Sequence, residues 1–154
     1  MHSYFPDVNV WLALAYEGHQ HHESATAWFA KLNGETVYFC RFTQLGLLRL
    51  LTHPSVMRED VRNQTEAWET YDSFLQDERV SFRIEADPEP VESALRKLTS
   101  NNRSPSQQWP DAYLAAFARA AGHLRPRITP DGVRQYRATP LAANVGSPKP
   151  TPRT

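Results

Sequence analysis

An α/β sandwich built on a mostly parallel sheet is the architecture this sequence predicts, and three observations predict it. Two β-branched and aromatic segments, Thr36–Phe42 (TVYFCRF) and Val80–Ile84 (VSFRI), are flanked by segments of helical periodicity. Strands alternating with helices favour parallel pairing with helices laid on the sheet. At 154 residues the chain fits one domain with a sizeable core, and not two.

The elements follow in order. Tyr4–Phe5, before Pro6–Asp7, is a very short extended stretch that Val8–Val10 could continue. Apolar residues Val10, Leu12, Leu14 and Ala15 then lead to a polar break at Glu17–Gly18–His19. His22–Leu32 reads as a helix, with Ala25, Trp28, Phe29 and Leu32 on one face, closed by Asn33–Gly34. Thr36–Phe42 is the best strand, and Thr43 is placed to cap a helix through Leu51, stopped by His53–Pro54. Thr65–Gln76 is helical, Val80–Ile84 is a second strand, and Pro90–Leu98 is a short amphipathic helix. Asn101–Gln108 is a polar loop, and Trp109–Pro110 leads into an alanine-rich helix, Asp111–Ala121, ended by Gly122. His123–Arg127 is a poor strand that Ile128–Thr129 could finish. From Thr139 to Thr154 four prolines and almost no bulky apolar residues predict a disordered tail. The division expected is a domain over 1–136 and a tail over 137–154.

Composition excludes little. Seventeen Lys and Arg balance seventeen Asp and Glu, so any nucleic-acid site must be a local patch. One cysteine, Cys40, excludes an intramolecular disulfide and suits a reducing compartment. No apolar run approaches the ~18 residues that would span a bilayer, and MHSYFPD has no basic n-region, so a cytoplasmic protein is expected.

The residues that point to chemistry are carboxylates at element ends. Asp7 lies at the end of the first strand, with Asn9 one side-chain period further on. Asp111 opens the late helix, and Asp131 follows Ile128–Thr129–Pro130. In open parallel sheets the ligand crevice lies at the carboxyl ends of the strands. Three acids converging there would repel one another unless a cation sat among them, and hard oxygen ligands hold Mg²⁺ or Mn²⁺. The plainer readings stay open: Asp7 and Asp111 as helix caps, and Asp131 in Pro-Asp-Gly as a turn residue. His19, His21 and His22 lack partners at helical spacing and read as surface or packing residues, and Cys40 reads as core.

The opening YFPDVNVWLALAYEGHQHHESATAWF, the block CRFTQLGLLRLLTHP (Cys40–Pro54) and the block WPDAYLAAFARAAG (Trp109–Gly122) resemble, in order and spacing, the VapC-type toxins of the PIN-domain family. The resemblance implies a three-layer α/β/α sandwich with a central, mostly parallel sheet. It implies a divalent-metal-dependent endoribonuclease acting as the toxin of a toxin–antitoxin pair, with RNA as substrate, a cognate antitoxin as partner, and a homodimer. Carried over by position, Asp7, Asp111 and Asp131 would bind Mg²⁺ or Mn²⁺, and Asn9 would join them in catalysis. Gln44 stands where many members have a glutamate, which would remove one negative charge from the site. A PIN-like module that binds antitoxin or RNA without cutting is therefore the alternative. A phosphatase of the haloacid dehalogenase type is disfavoured, because Asn9 occupies the second acid position of its Asp-x-Asp motif. Arg41, Arg49, Arg58 and Arg103 are candidate phosphate contacts, and Trp109 is a candidate base-stacking residue.

Overall fold

A computed structural model describes residues 3–85, 87–100, 108–122, 124–129 and 132–137. Five strands form one sheet in the order β3-β2-β1-β4-β5: β1 (Ser3–Tyr4), β2 (Thr36–Phe39), β3 (Val80–Phe82), β4 (Leu124–Thr129) and β5 (Gly132–Arg137). β1 pairs in parallel with β2 and β4, β2 pairs in parallel with β3, and β5 returns antiparallel to β4. Seven helices are described: α1 (Val8–Ala15), α2 (His22–Ala30), α3 (Arg41–Leu51), α4 (Pro54–Met57), α5 (Gln64–Leu75), α6 (Pro88–Thr99) and α7 (Gln108–Ala121). None of the described helices is long and apolar enough to cross a membrane.

Alternation along the strands builds the layers. Tyr4, Val37 and Phe39 enter a core with Val10, Trp11, Trp28, Leu47, Leu51, Met57 and Tyr71, contributed by α1 to α5. Their neighbours Phe5 and Cys40 enter a second core with Val91 and Ala94 of α6 and Leu114 and Phe117 of α7. Side chains one residue apart on a strand point to opposite faces, so a sheet covered twice needs apolar residues at consecutive positions. Trp11, fully buried, stacks on Phe39 at 3.6 Å between ring centroids and meets Phe74 edge-on at 5.2 Å.

Several local expectations are corrected. Val8–Val10 does not extend the first strand. It opens α1, because Asp7 adopts an extended backbone and its Oδ1 accepts the Asn9 N–H at 3.1 Å, an N-cap geometry. The second strand ends at Phe39, and the N-cap of α3 is Cys40 rather than Thr43. Thr43 sits three residues into the helix, fully buried, and its hydroxyl accepts the Cys40 N–H at 3.0 Å. That satisfies a donor no helical carbonyl can reach. α6 begins two residues early, at Pro88, behind an Asp87 cap. α7 begins at Gln108, so Asp111 lies within its first turn instead of opening it. The His123–Arg127 stretch is strand from Leu124 onward despite Pro126. Among the described residues β1 pairs with β4 only at Tyr4 and Leu124, so beyond that point one edge of β4 carries no ladder from β1 to interrupt. The polar loop over 101–107 and the tail beyond 137 lie outside the described residues.

Gly46 sets the spacing of α1 and α3. A Cβ built there would meet the Val8 methyls at 2.7 and 3.1 Å, so glycine is what allows the start of α1 to lie against the middle of α3. At the other end of α1, the histidines serve packing, as their spacing suggested. His22 Nδ1 donates to the Ala13 carbonyl at 2.7 Å, since a carbonyl can only accept, and His19 Nδ1 accepts the His21 N–H at 3.1 Å. Burial lowers the His19 pKa from its usual 6.5, and the neighbouring His21 and His22 lower it further.

Two outcomes follow from this packing. Gly46→Ala lowers the urea midpoint, because overpacking against Val8 opposes the roughly 1 kcal/mol that helix propensity alone would add. A raised midpoint would show that α1 yields freely. His19 binds its proton less readily in the fold than in the unfolded chain, so the stability it contributes is present above pH 6.5 and lost as pH falls below it. In urea titrations across that window, His19→Gln therefore shows a shallower acid-side loss of stability than the parent. Identical profiles contradict this.

Candidate metal and RNA cleft

The start of α1 and the first turn of α7 face each other across one cleft. Asp7 reaches it from the cap of α1, which follows directly on the central strand β1. Asn9 joins it from the first turn of α1, and Asp111 enters from the first turn of α7. The volume is about 640 Å³. The far wall is a stripe of α3, with Phe42, Leu45, Gly46 and Arg49 at i, i+3, i+4 and i+7, one face of a helix. Val8, Pro110 and Leu114 complete the apolar floor.

Asp7 is only 9% exposed, whereas Asp111 is half-buried and Asn9 exposed. Burying a carboxylate is costly unless it is hydrogen-bonded or charge-compensated. Here the N-terminus of α1 provides part of that compensation, through the Asn9 N–H and the positive end of the helix dipole. The two readings of Asp7 left open by the sequence are therefore one: it caps α1 and it faces the cleft. The same holds in weaker form for Asp111, which sits in the first turn of α7 without being its cap.

The donor set suits a hard divalent cation. Asp7 and Asp111 are oxygen donors on one cleft with the amide of Asn9 beside them, and Mg²⁺ is commonly held by one or two carboxylates while keeping several waters. No group of three His, Cys, Asp or Glu side chains gathers at one point among the described residues. Asp131 lies outside the described residues, as does Arg103.

Gln44 does not line this cleft. It is 4% exposed on the other side of α3, where its Oε1 accepts from Arg41 and its side chain lies near Tyr71. Burial raises the Tyr71 pKa, and the Gln44 side chain partly offsets that. The Arg41 guanidinium lies 5.0 Å from the Phe82 ring centre, and Arg41 does not line this cleft. Trp109 is 58% exposed in the first turn of α7, next to Pro110 of the cleft floor.

Sequence reasoning did not single out Phe42 and Tyr113. The Phe42 ring lies 5.4 Å from that of Tyr113, whose hydroxyl donates to Glu85 Oε2 at 2.8 Å. Burial and the Glu85 carboxylate both push the Tyr113 pKa well above the usual phenol value. Tyr113 is therefore a fixed neutral donor that holds the aromatic wall. The signal lay in the sequence: Phe42 stands seven residues before Arg49 on one helical face.

The PIN domain family model matches residues 4–124. Ribonuclease VapC41 of Mycobacterium tuberculosis is 40% identical over 120 residues, covering 75% of this chain and 82% of that protein. Among solved structures, Mycobacterium tuberculosis VapC20, described as a sarcin–ricin loop cleaving toxin, matches with a TM-score of 0.57 at 20% identity. That match covers 78% of this chain and 84% of VapC20. VapBC2 from Rickettsia felis, bound to a DNA fragment from its promoter, matches with a TM-score of 0.57 at 12% identity over 82% of this chain and 88% of that one. The last two likenesses bear on the fold alone, and the fold they share is the layered sheet described above. With the family model spanning both acid-bearing segments and a ribonuclease of this type at 40% identity, the chain belongs to the PIN-domain family, among its VapC-type members.

Proposed function

We propose that this chain is an endoribonuclease that hydrolyses RNA phosphodiester bonds with a divalent ion, Mg²⁺ or Mn²⁺, and acts as the toxin of a toxin–antitoxin pair. The observation that carries the reading is that Asp7 and Asp111, from opposite ends of the described chain, line one cleft. The 40% identity to a VapC ribonuclease supports the substrate class and, through it, a cognate antitoxin as partner.

When bound, a hard divalent ion would activate a water at neutral pH and offset charge on the phosphoryl oxygens. Asp7 and Asp111 would hold it, with Asp131 proposed as a third ligand on the strength of the resemblance alone. The protein's own part is positional. The cap bond from the Asn9 N–H fixes the direction of the Asp7 carboxylate, so that group meets an incoming phosphate already oriented. The exposed Asn9 side chain can hold a water at the mouth of the cleft by donating or accepting a hydrogen bond. Leu45 and Phe42 keep one wall of the cleft apolar, which strengthens electrostatic interactions beside it.

Two experiments test this. RNA incubated with the purified protein is cut in Mg²⁺ or Mn²⁺ and spared when EDTA is added; cutting that persists in EDTA sinks the metal assignment. The second separates the two roles of Asp7. Asparagine caps helices as well as aspartate does, so Asp7→Asn leaves the urea midpoint nearly unchanged while cleavage falls at least on the order of 100-fold. Asp7→Ala loses the same activity and also about 1 kcal/mol of stability. If Asp7→Asn retains full cleavage, the residue is a cap only.

A further inference from the structure

We infer that Arg49 is the phosphate-positioning residue of this cleft, gripping the backbone of the RNA strand that enters it; the inference rests on RNA being the substrate. Several arginines with described side chains are already occupied, and Arg119, near the end of α7, does not line the cleft. Arg62 is committed to Thr70 and the Ala15 carbonyl, and Arg79 to Asp77 and the Phe29 ring. Arg83 lies over Tyr38, Arg96 pairs with Glu92, and Arg41 is held between Gln44 and Phe82. Arg58, in the turn after α4, is not part of the cleft wall. Arg49 is exposed, lines the cleft, and makes no ion pair or side-chain hydrogen bond among the described residues.

Its place explains why a cation is needed there. A cleft that displays Asp7 and Asp111 repels a polyanion, and RNA must bring a phosphate close to both. A guanidinium on the opposite wall offsets that repulsion, and its planar fork matches two phosphoryl oxygens at once. Arg49 stands one turn beyond Gly46, the residue that lets the start of α1, and with it Asp7, lie against α3. The packing that fixes the acid therefore also fixes the spacing between acid and guanidinium. One turn to the other side, Phe42 presents a ring 38% exposed and backed by Tyr113, the kind of surface on which an unpaired base stacks. The stripe thus offers a grip for phosphate and a platform for base on one rigid helix.

The test is RNA binding by the full chain against salt, with fluorescein-labelled single-stranded RNA in EDTA, and KM for cleavage in Mg²⁺. Arg49→Ala should weaken binding on the order of tenfold and flatten the plot of log affinity against log salt by about 0.7, the value of one single-strand phosphate contact. Arg49→Lys keeps the charge and should restore the slope, while Arg49→Gln should behave as Arg49→Ala. In cleavage, KM should rise more than kcat falls. A slope unchanged in Arg49→Ala overturns the inference, and so does a slope that lysine fails to restore, which marks a structural role; the lysine ammonium should recover only part of the affinity of the two-oxygen fork. If the parent shows an Arg49-dependent slope but never cuts RNA, the ribonuclease reading falls and this one stands. If it cuts RNA and Arg49→Ala cuts with the same KM, this one falls alone. A parent that neither binds RNA in EDTA nor cuts it in Mg²⁺ overturns both.

Discussion

The interaction between the Asp7 carboxylate and the first turn of α1 is the constraint on which the rest of the molecule depends. A charge almost wholly removed from solvent has to be compensated, and the helix N-terminus does so at the end of the central strand. In this position, three residues after β1, the acid starts a helix and enters a cleft. The cost of placing negative charge inside the protein is shared with an element the fold needs in any case. That is why the two readings of Asp7, helix cap and cleft acid, have a single answer.

α3 shows how one helix divides its labour by angle. The face with Leu47 and Leu51 closes the main core, and the flank with Gln44 and Arg41 packs towards Tyr71 and Phe82. The remaining stripe, Phe42 to Arg49, is left to the cleft. A neutral side chain at position 44 is consistent with that division, because the position is buried against a phenol and a guanidinium that the amide can serve together.

What could be read from the sequence was most of the elements, though not α4 or β5, and the pairing of distant acids. The β-branched and aromatic run Thr36–Phe42 marked β2, and the spacing of Trp28, Phe29 and Leu32 marked α2. The shared cleft of Asp7 and Asp111 followed from placing strand ends at one edge of a parallel sheet and from the family resemblance. What escaped was decided by contacts that leave no periodic trace. Thr43 looked like a cap because threonine favours caps, yet the turn belongs to Cys40, and Thr43 serves it from within the helix. Pro126 argued against a strand, but the shortness of β1 removes the neighbour it would have disrupted. The orientation of Gln44 depends on the rotation of α3 about its own axis, which Gly46 and Val8 fix by touching.

The brevity of β1 has one more consequence. Among the described residues of this segment, only Ser3 and Tyr4 make ladder pairs, so the register of the central strand rests also on side chains: Tyr4 against Trp28 on one face, Phe5 against Phe117 on the other. Sliding this segment by a single residue would send each ring into the wrong layer and turn the carboxylate two places later away from its partners. Alignment of the sheet and assembly of the acidic pair are thereby one event, so a chain threaded out of frame at its beginning could not keep both acids on one cleft by accident.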